Sequence, residues 1–275
     1  MILADFHTHC CFSTDSSASL EEMIQGALQK GLRYLCFTDH MDLDFPTSSK
    51  EPAPFQFSPE EYFFRLSPLI RQYSNQLTVS IGIELGLRPD RPELCKQYHA
   101  LLSDYPFDFS LGSLHLISNQ DPYEPEFWET HDAAAALTDY FEQLSVAVRQ
   151  FDGFDSLAHL DYLVRYLPSG QPVRDYRYEM FRATIDEILK LLIFRGQALE
   201  INTRGLSSAA GYVHPKEAVL KRYLELGGSL FTIGSDAHTP SAIASEYKKT
   251  RELLLSHGIT RYCIYRKHQP EYLPL

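Results

Sequence analysis

The sequence predicts an α/β fold in which a largely parallel sheet of seven or eight strands closes into a barrel, regular or distorted. Short apolar runs alternate with longer helical patterns, which is typical of strand–helix–strand units. Histidines and carboxylates follow most of the runs, and parallel barrels collect polar residues at the carboxyl ends of their strands. The length of 275 residues also fits a barrel, which typically has ~250.

Strands are predicted where apolar residues cluster in short runs. The runs cover residues 2–6, 34–38, 78–83, 107–114, 154–158, 198–201, 230–233 and 261–265. No linker, internal repeat or low-complexity tract separates them. We therefore expect one domain over residues 1–275.

Helices are predicted in five of the intervening stretches from their apolar periodicity. They cover residues 19–30, 59–73, 133–151, 176–195 and 215–226. Ser19 followed by Glu22 predicts a capping box at the first of them. Gly31 and Gly227 predict helix ends.

Two long connections, residues 41–58 and 117–131, are rich in proline and aromatic residues. Connections of this length in a compact domain are often lids over a site. Plain surface insertions would look the same in sequence, so both interpretations stay open.

The formal net charge of −11 argues against nucleic acid or an anionic membrane as the main partner. Five cysteines, irregularly spaced, do not make a disulfide framework. The chain opens on Asp5 and histidines rather than on a signal peptide, and no apolar run is long enough to span a bilayer. We expect a soluble, cytoplasmic protein.

Polar residues recur at the ends of the predicted strands. Asp5, His7 and His9 alternate along the first run and would share one face. The later runs end at or lead into a further set. This set is Asp39, His40, Glu84, His115, His159, Glu200, Asn202, Asp236 and His238. Burying so many ionisable groups at one barrel mouth is costly unless they pair or bind metal.

Imidazole and carboxylate together suit zinc, iron, manganese or cobalt. There are enough ligands for more than one ion. Ions ~3.5–4 Å apart can clamp a phosphoryl group and lower the pKa of a bridging water to near neutral. The pattern therefore predicts a multinuclear centre and metal-dependent hydrolysis.

The motifs also resemble a known family. They are His7-Thr8-His9, Asp15, Thr38-Asp39-His40, Gly82-Ile83-Glu84, Gly112-Ser113-Leu114-His115, Ala158-His159 and Gly234-Ser235-Asp236-Ala237-His238. In content and order they resemble the PHP (polymerase and histidinol phosphatase) superfamily, most of all its monofunctional histidinol-phosphate phosphatases. The resemblance covers nearly the whole chain. It implies a distorted (β/α)7 barrel that hydrolyses L-histidinol phosphate in histidine biosynthesis.

Carried over by position, the resemblance implies two to three divalent ions, of zinc, iron or manganese. One would be held by His7, His9, Glu84 and Asp236, and a second by Glu84, His115 and His159. A third would be held by Asp15, His40 and His238, although many relatives have histidine in place of Asp15. A hydroxide between the ions would attack phosphorus in line, and Asp15 or His238 would protonate the leaving alkoxide.

Other polar residues receive supporting roles. Arg165 and Arg204 follow strand ends, and a guanidinium fork suits the phosphate of a small phosphomonoester substrate. Asp5 is expected to accept a hydrogen bond from a histidine ring. Glu200 and Asn202 are expected to support ligands or cap the strand. The remaining histidines are expected on the surface or on helices, although His131 could line the site from its loop. They are His99, His131, His214, His257 and His268.

Three alternatives remain open at this stage. One is a related phosphoesterase acting on a nucleotide, a sugar phosphate or phosphotyrosine. Another is an amidohydrolase barrel, which also begins with His-x-His but usually carries a bridging lysine that is not found at a strand end here. The last is a non-catalytic metal-stabilised module, which loss of ligands would mark.

Overall fold

The computed structural model of the protein describes residues 1–46, 55–168, 170 and 176–275. Its main sheet is parallel throughout and runs in the order β1-β2-β4-β5-β6-β7-β8, with the short β3 paired to β4. The strands are β1 Ala4–Thr8, β2 Tyr34–Phe37, β3 His40–Met41, β4 Thr78–Gly86, β5 Phe109–Ser113, β6 Ser156–Leu157, β7 Ala198–Asn202 and β8 Phe231–Gly234. The predicted α/β barrel is thereby confirmed.

The helices cover the outside of the sheet between successive strands. They are α1 Leu20–Gln29, α2 Pro59–Tyr73, α3 Leu94–Asp104, α4 Pro125–Thr130, α5 Ala133–Gln150, α6 Arg182–Arg195, α7 Glu217–Glu225 and α8 Tyr247–Ser256. The capping box of α1 forms as predicted, since Ser19 accepts from the Glu22 amide and Glu22 accepts from Ser19. None of the helices within the described ranges combines the length and the apolar character needed to cross a bilayer.

The barrel closes where its first and last strands meet. Beyond β8 the chain bridges β1 in parallel at Thr8 and Ala237. The amide of Asp236 donates to the His7 carbonyl at 2.8 Å, and the amide of His9 donates to the Ala237 carbonyl at 2.8 Å. Closure therefore brings the carboxyl ends of β1 and β8 side by side, and the polar residues there share one mouth.

One predicted strand lies outside the barrel. The run at 261–265 becomes β9 (Arg261–Arg266), which pairs antiparallel with β10 (Gln269–Pro274) in a separate two-stranded hairpin. The barrel therefore has seven principal strands within the described residues. β9 is buried along most of its length, so its apolar run reflects packing rather than barrel membership.

The two long connections differ in how much of each the structure describes. Part of the first, residues 47–54, lies outside the described residues. In the second, 117–131, the structure has the short helix α4. Phe45 and Phe55 from the first and Tyr123 from the second line the same cavity at the barrel mouth. A lid function for either one stays a prediction.

Candidate metal centre

The nine residues predicted as metal ligands converge at the carboxyl ends of the strands, and each contacts at least one other. Glu84, near the end of β4, is fully buried at the middle of the group. Its Oε2 lies 3.2 Å from His7 Nε2 and 3.4 Å from His9 Nε2. Its Oε1 lies 3.0 Å from His159 Nε2 and 3.3 Å from His115 Nε2. One carboxylate thus faces two sets of histidines.

Asp236 completes the set around His7 and His9. Its Oδ1 lies 3.8 Å from His7 Nε2 and 3.6 Å from His9 Nε2. Asp236 adopts φ 55°, a left-handed conformation uncommon outside glycine and often found at functional sites. The backbone is therefore held in a strained turn that aims this carboxylate into the centre.

The third predicted set lies towards the solvent. Asp15 Oδ2 is 2.9 Å from His238 Nε2 and 3.8 Å from His40 Nε2. His40 also turns inward, with its Nδ1 3.2 Å from Glu84 Oε2. The ring of His9 stacks on both His40 and His238, with centroids 4.4 and 4.1 Å away. The three predicted sets therefore form one continuous cluster.

The residues present fit bound divalent cations. Several buried nitrogens and oxygens that point inward have no hydrogen-bond partner among the described residues. They include His7 Nε2, His9 Nε2, His40 Nδ1, Glu84 Oε2 and His238 Nε2. Orphaned buried polar atoms are costly, and a cation between them would remove that cost. Four trios drawn from the predicted ligands place one ligand atom each within 4.8 Å of the others.

Opposite charges tune the titration of the cluster. Burial alone would raise the pKa of Glu84, but His7, His40 and His115 hold it well below its usual range. Burial has the same upward effect on Asp236, whose pKa is nevertheless held low, chiefly by Arg165. Burial lowers the pKa of His159 to about 4 in spite of the nearby Glu84. The central carboxylates are therefore ionised at neutral pH, as metal ligands must be.

Carboxylates hold two of the histidines from behind. Glu200 Oε1 accepts from His7 Nδ1 at 2.6 Å, and Asp42 Oδ1 accepts from His115 Nδ1 at 2.7 Å. Each bond orients the ring with Nε2 towards the centre. Glu200 was predicted to give such support. Asp42 was missed, and the only sequence signal was its place two residues after His40 on an extended chain.

Two sequence-based expectations are wrong. Asp5 does not accept from a histidine ring; it accepts from the Ser235 amide and hydroxyl at 2.9 and 2.5 Å and from the Ala244 amide at 3.0 Å. It therefore joins β1 to the chain after β8. His214 is neither on the surface nor in a helix: it is fully buried and hydrogen-bonds to Asp161 through Nδ1.

The two predicted substrate-binding arginines differ in position. Arg165 is buried, and its terminal nitrogens donate to Asp236 Oδ2 at 2.6 Å and Asn202 Oδ1 at 2.8 Å. Arg204 is half exposed and donates to the Asp236 carbonyl at 2.9 Å. Of the two, only Arg204 lines the cavity at the mouth.

The cavity has a volume of about 240 Å³ and lies directly over the solvent side of the cluster. Its wall combines imidazoles, carboxylates, aromatic rings and one guanidinium. The lining residues are Asp15, His40, Asp42, Phe45, Phe55, His115, Asp121, Tyr123, Tyr162, Tyr166, Arg204 and His238. It can therefore hold a small anionic substrate that also carries apolar and cationic groups.

The parallel barrel and its cluster of histidines and carboxylates define a metal-dependent hydrolase. The chain belongs to the PHP domain family, whose model matches residues 5–204. This match confirms the predicted resemblance and removes the amidohydrolase alternative.

Relatives of known name cover most of the chain. The probable histidinol-phosphatase of Clostridium acetobutylicum is 32% identical over 90% of this chain and 91% of its own. The histidinol-phosphatase of Lactococcus lactis subsp. lactis is 28% identical, over 92% and 91%. The crystal structure of a histidinol phosphate phosphatase from that organism, complexed with zinc, L-histidinol and phosphate, superposes with a TM-score of 0.86 at 27% identity, covering 98% of both chains. These similarities support the prediction that the chain is a metal-dependent phosphatase.

Proposed function

We propose that this protein is a histidinol-phosphate phosphatase, which hydrolyses L-histidinol phosphate to L-histidinol and phosphate in histidine biosynthesis. The observation that carries the proposal is the convergence of His7, Glu84, His159 and Asp236 beneath a small cavity that Arg204 also lines. The similarity to enzymes of this name over nearly the whole chain supports the substrate. A cytoplasmic location fits the five free thiols.

Two to three divalent ions, of zinc, iron or manganese, would be held in three overlapping sets. The first is His7, His9, Glu84 and Asp236; the second is Glu84, His115 and His159; the third is Asp15, His40 and His238. When bound, such ions polarise phosphoryl oxygens and lower the pKa of coordinated water. Glu84 is suited to serve two sets at once because its two oxygens face different histidines.

Arg204 would bind the phosphate, and Arg165 would position the Asp236 carboxylate. Arg204 lines the cavity and can offer its remaining N–H groups to phosphate oxygens. Arg165 fixes the outer oxygen of Asp236, leaving the other oxygen facing His7 and His9. A direct contact between Arg165 and phosphate stays a prediction, since both of its terminal nitrogens already donate to protein groups.

The rest of the cavity suits the amine and imidazole of histidinol. The rings of Tyr123, Tyr162 and Tyr166 form an aromatic wall, and Asp121 adds a carboxylate. Aromatic faces and carboxylates both attract a cation.

The leaving alkoxide must gain a proton. When the third set holds no ion, Asp15 and His238, paired at 2.9 Å on the cavity wall, are the candidates to supply it. His238 is favoured of the two: burial would raise the pKa of Asp15, but the hydrogen bond with His238 and the charge of His40 hold it well below its usual range.

A substrate panel tests the assignment. The metal-loaded enzyme is assayed with L-histidinol phosphate, a nucleoside monophosphate, a sugar phosphate, phosphotyrosine and p-nitrophenyl phosphate. We expect the highest kcat/KM for L-histidinol phosphate, by roughly 100-fold or more, because a site built for polar substrate groups discriminates strongly. A higher kcat/KM for another member would replace this substrate with that one, within the same family. Full activity in a metal-free preparation would overturn the metal-dependent mechanism itself.

A further inference from the structure

We infer that Ser13 and Asp39 form a positioning relay that keeps the ring proton of His9 on Nδ1, so that Nε2 presents its lone pair to the centre. Neither residue is among the proposed ligands. The inference rests on the proposed metal centre, which gives the relay its purpose. It concerns which nitrogen of His9 carries the proton, a question that carboxylates settle directly for His7 and His115.

The argument begins with the contacts of the Ser13 hydroxyl. Its Oγ lies 2.7 Å from Asp39 Oδ1, 3.0 Å from His9 Nδ1 and 3.1 Å from the His40 amide nitrogen. A backbone amide can only donate, so Ser13 accepts from His40. The hydroxyl has a single proton, which must go either to Asp39 or to His9.

The surroundings of Asp39 decide where that proton goes. Its Oδ1 also accepts from the Cys10 amide at 2.8 Å, and its Oδ2 accepts from the Tyr62 hydroxyl at 3.0 Å and the Cys10 thiol at 3.1 Å. The Cys10 amide, the Cys10 thiol and the Tyr62 hydroxyl thus supply three donors to the two oxygens, which is the surrounding of a carboxylate that only accepts. The Ser13 proton therefore belongs to Asp39. The Ser13 oxygen then has only lone pairs left for His9, so His9 must donate from Nδ1.

The consequence reaches the metal centre. With its proton on Nδ1, neutral His9 has an unprotonated Nε2, and this atom lies 3.4 Å from Glu84 Oε2 and 3.6 Å from Asp236 Oδ1. A metal ligand needs that tautomer. The relay is also wholly buried, and Asp39 forms no ion pair with any residue that the structure describes. A buried carboxylate held only by neutral donors is costly, which favours a specific purpose over packing.

The test uses the zinc-loaded full-length protein and two measurements. The first is the rate at which zinc passes to a chelator. The second is the ¹H–¹⁵N NMR signal of the His9 Nδ1 proton, assigned by its loss in His9→Gln. Ser13→Ala should release zinc about 10–100-fold faster, in the range found when a hydrogen-bond partner of a metal ligand is removed. The Nδ1 proton should move upfield and exchange faster with water. Ser13→Thr, which keeps a hydroxyl, should restore both towards the wild type.

Ser110→Ala is the matched control, because it removes a hydroxyl that donates to a carboxylate, Asp155 Oδ2 at 3.0 Å, at the opposite end of the barrel. It should leave both measurements unchanged. Asp39→Asn, nearly isosteric, serves if Ser13→Ala does not fold, and should also speed zinc release. Equal release from Ser13→Ala and wild type, or equal acceleration by Ser110→Ala, would overturn the relay. Undiminished zinc content in His9→Gln would instead overturn the metal centre.

Discussion

At the scale of single residues, Glu84 has the most demanding position in the site. It is fully buried, and its two oxygens face different histidines, two at Oε1 and three at Oε2. The Ser113 hydroxyl also donates to Oε1 at 2.6 Å and fixes the rotation of the carboxylate. Removing the charge of the Glu84 carboxylate should therefore affect the whole cluster.

Glu84→Gln removes that charge with almost no change in shape. We expect turnover to fall by more than about 100-fold, beyond the usual effect of losing a supporting hydrogen bond to a ligand, together with a lower metal content by elemental analysis. Glu200→Gln is the comparison: Glu200 accepts from His7 Nδ1 and from the His159 amide, behind the proposed ligands rather than among them, and its change should have the smaller effect. Near-normal turnover and metal content in Glu84→Gln would refute its role.

The sequence could predict most of the proposed ligands because they lie at or just after strand ends, which the parallel barrel rule places together. Asp15 lies between β1 and α1, away from a strand end, and was predicted only from the family resemblance. The sequence could not predict Asp42 or Ser13 as partners of His115 and His9, since those bonds join side chains of different segments across the folded mouth. Asp5 misled for a related reason. Its strand face was predicted, but the donors that its carboxylate meets depend on how the chain after β8 closes against it.

At the scale of elements, an ion pair joins α6 to α7. Arg222 donates from Nε and Nη2 to Asp186, at 2.9 and 2.7 Å, and the Tyr178 hydroxyl also donates to that carboxylate. The hydrogen bonds from Arg222 hold the pKa of Asp186 below its ordinary value. A two-point fork fixes the angle between neighbouring helices on the outside of the barrel.

Asp186→Asn should lower the free energy of unfolding by about 1 kcal/mol at neutral pH, a modest value because Arg222 is partly exposed. A lowered pKa means that the native carboxylate contributes its stability above its unfolded pKa. That contribution is lost as the pH falls through the native value. Urea unfolding at pH 7, 5, 4 and 3 should show the difference from wild type shrinking in acid. Glu225→Gln, at the exposed side of Arg222, is the control; a difference constant with pH would contradict the prediction.

Elements with a clear apolar period were predicted, and those without one were not. The helix α3 buries only Leu94 and Tyr98, and α8 begins with a run of polar residues, so neither has a strong apolar face. The predicted helix at 176–195 is in fact a short 3-10 turn, Tyr178–Phe181, followed by α6. The buried strands gave the strongest signals because both of their faces are packed.

At the scale of the whole molecule, the barrel mouth gathers ionisable groups that only cations can fully satisfy. His7 Nε2 and His9 Nε2 face the carboxylates of Glu84 and Asp236 across 3.2–3.8 Å without forming a hydrogen bond. The metal centre should therefore contribute to folding stability as well as to catalysis.

Removal of metal should lower the thermal midpoint. Ions held at about 1,000 times their Kd stabilise the native state by about 4 kcal/mol, which corresponds to roughly 10 °C for a chain of this size. Scanning calorimetry before and after chelation measures the shift, and returning zinc should reverse it. Chelation should change Glu84→Gln much less. An unchanged midpoint in the chelated wild type would show that the fold does not depend on the centre.

Closure of the barrel has a consequence for synthesis on the ribosome. The imidazoles of β1 emerge first, whereas Asp236 follows β8, after nearly all of the sheet has been made. A nascent chain therefore cannot assemble the full set of proposed ligands until the segment after β8 has been made. The set that includes Asp236 can therefore take up its cation only after the first and last strands of the barrel have paired.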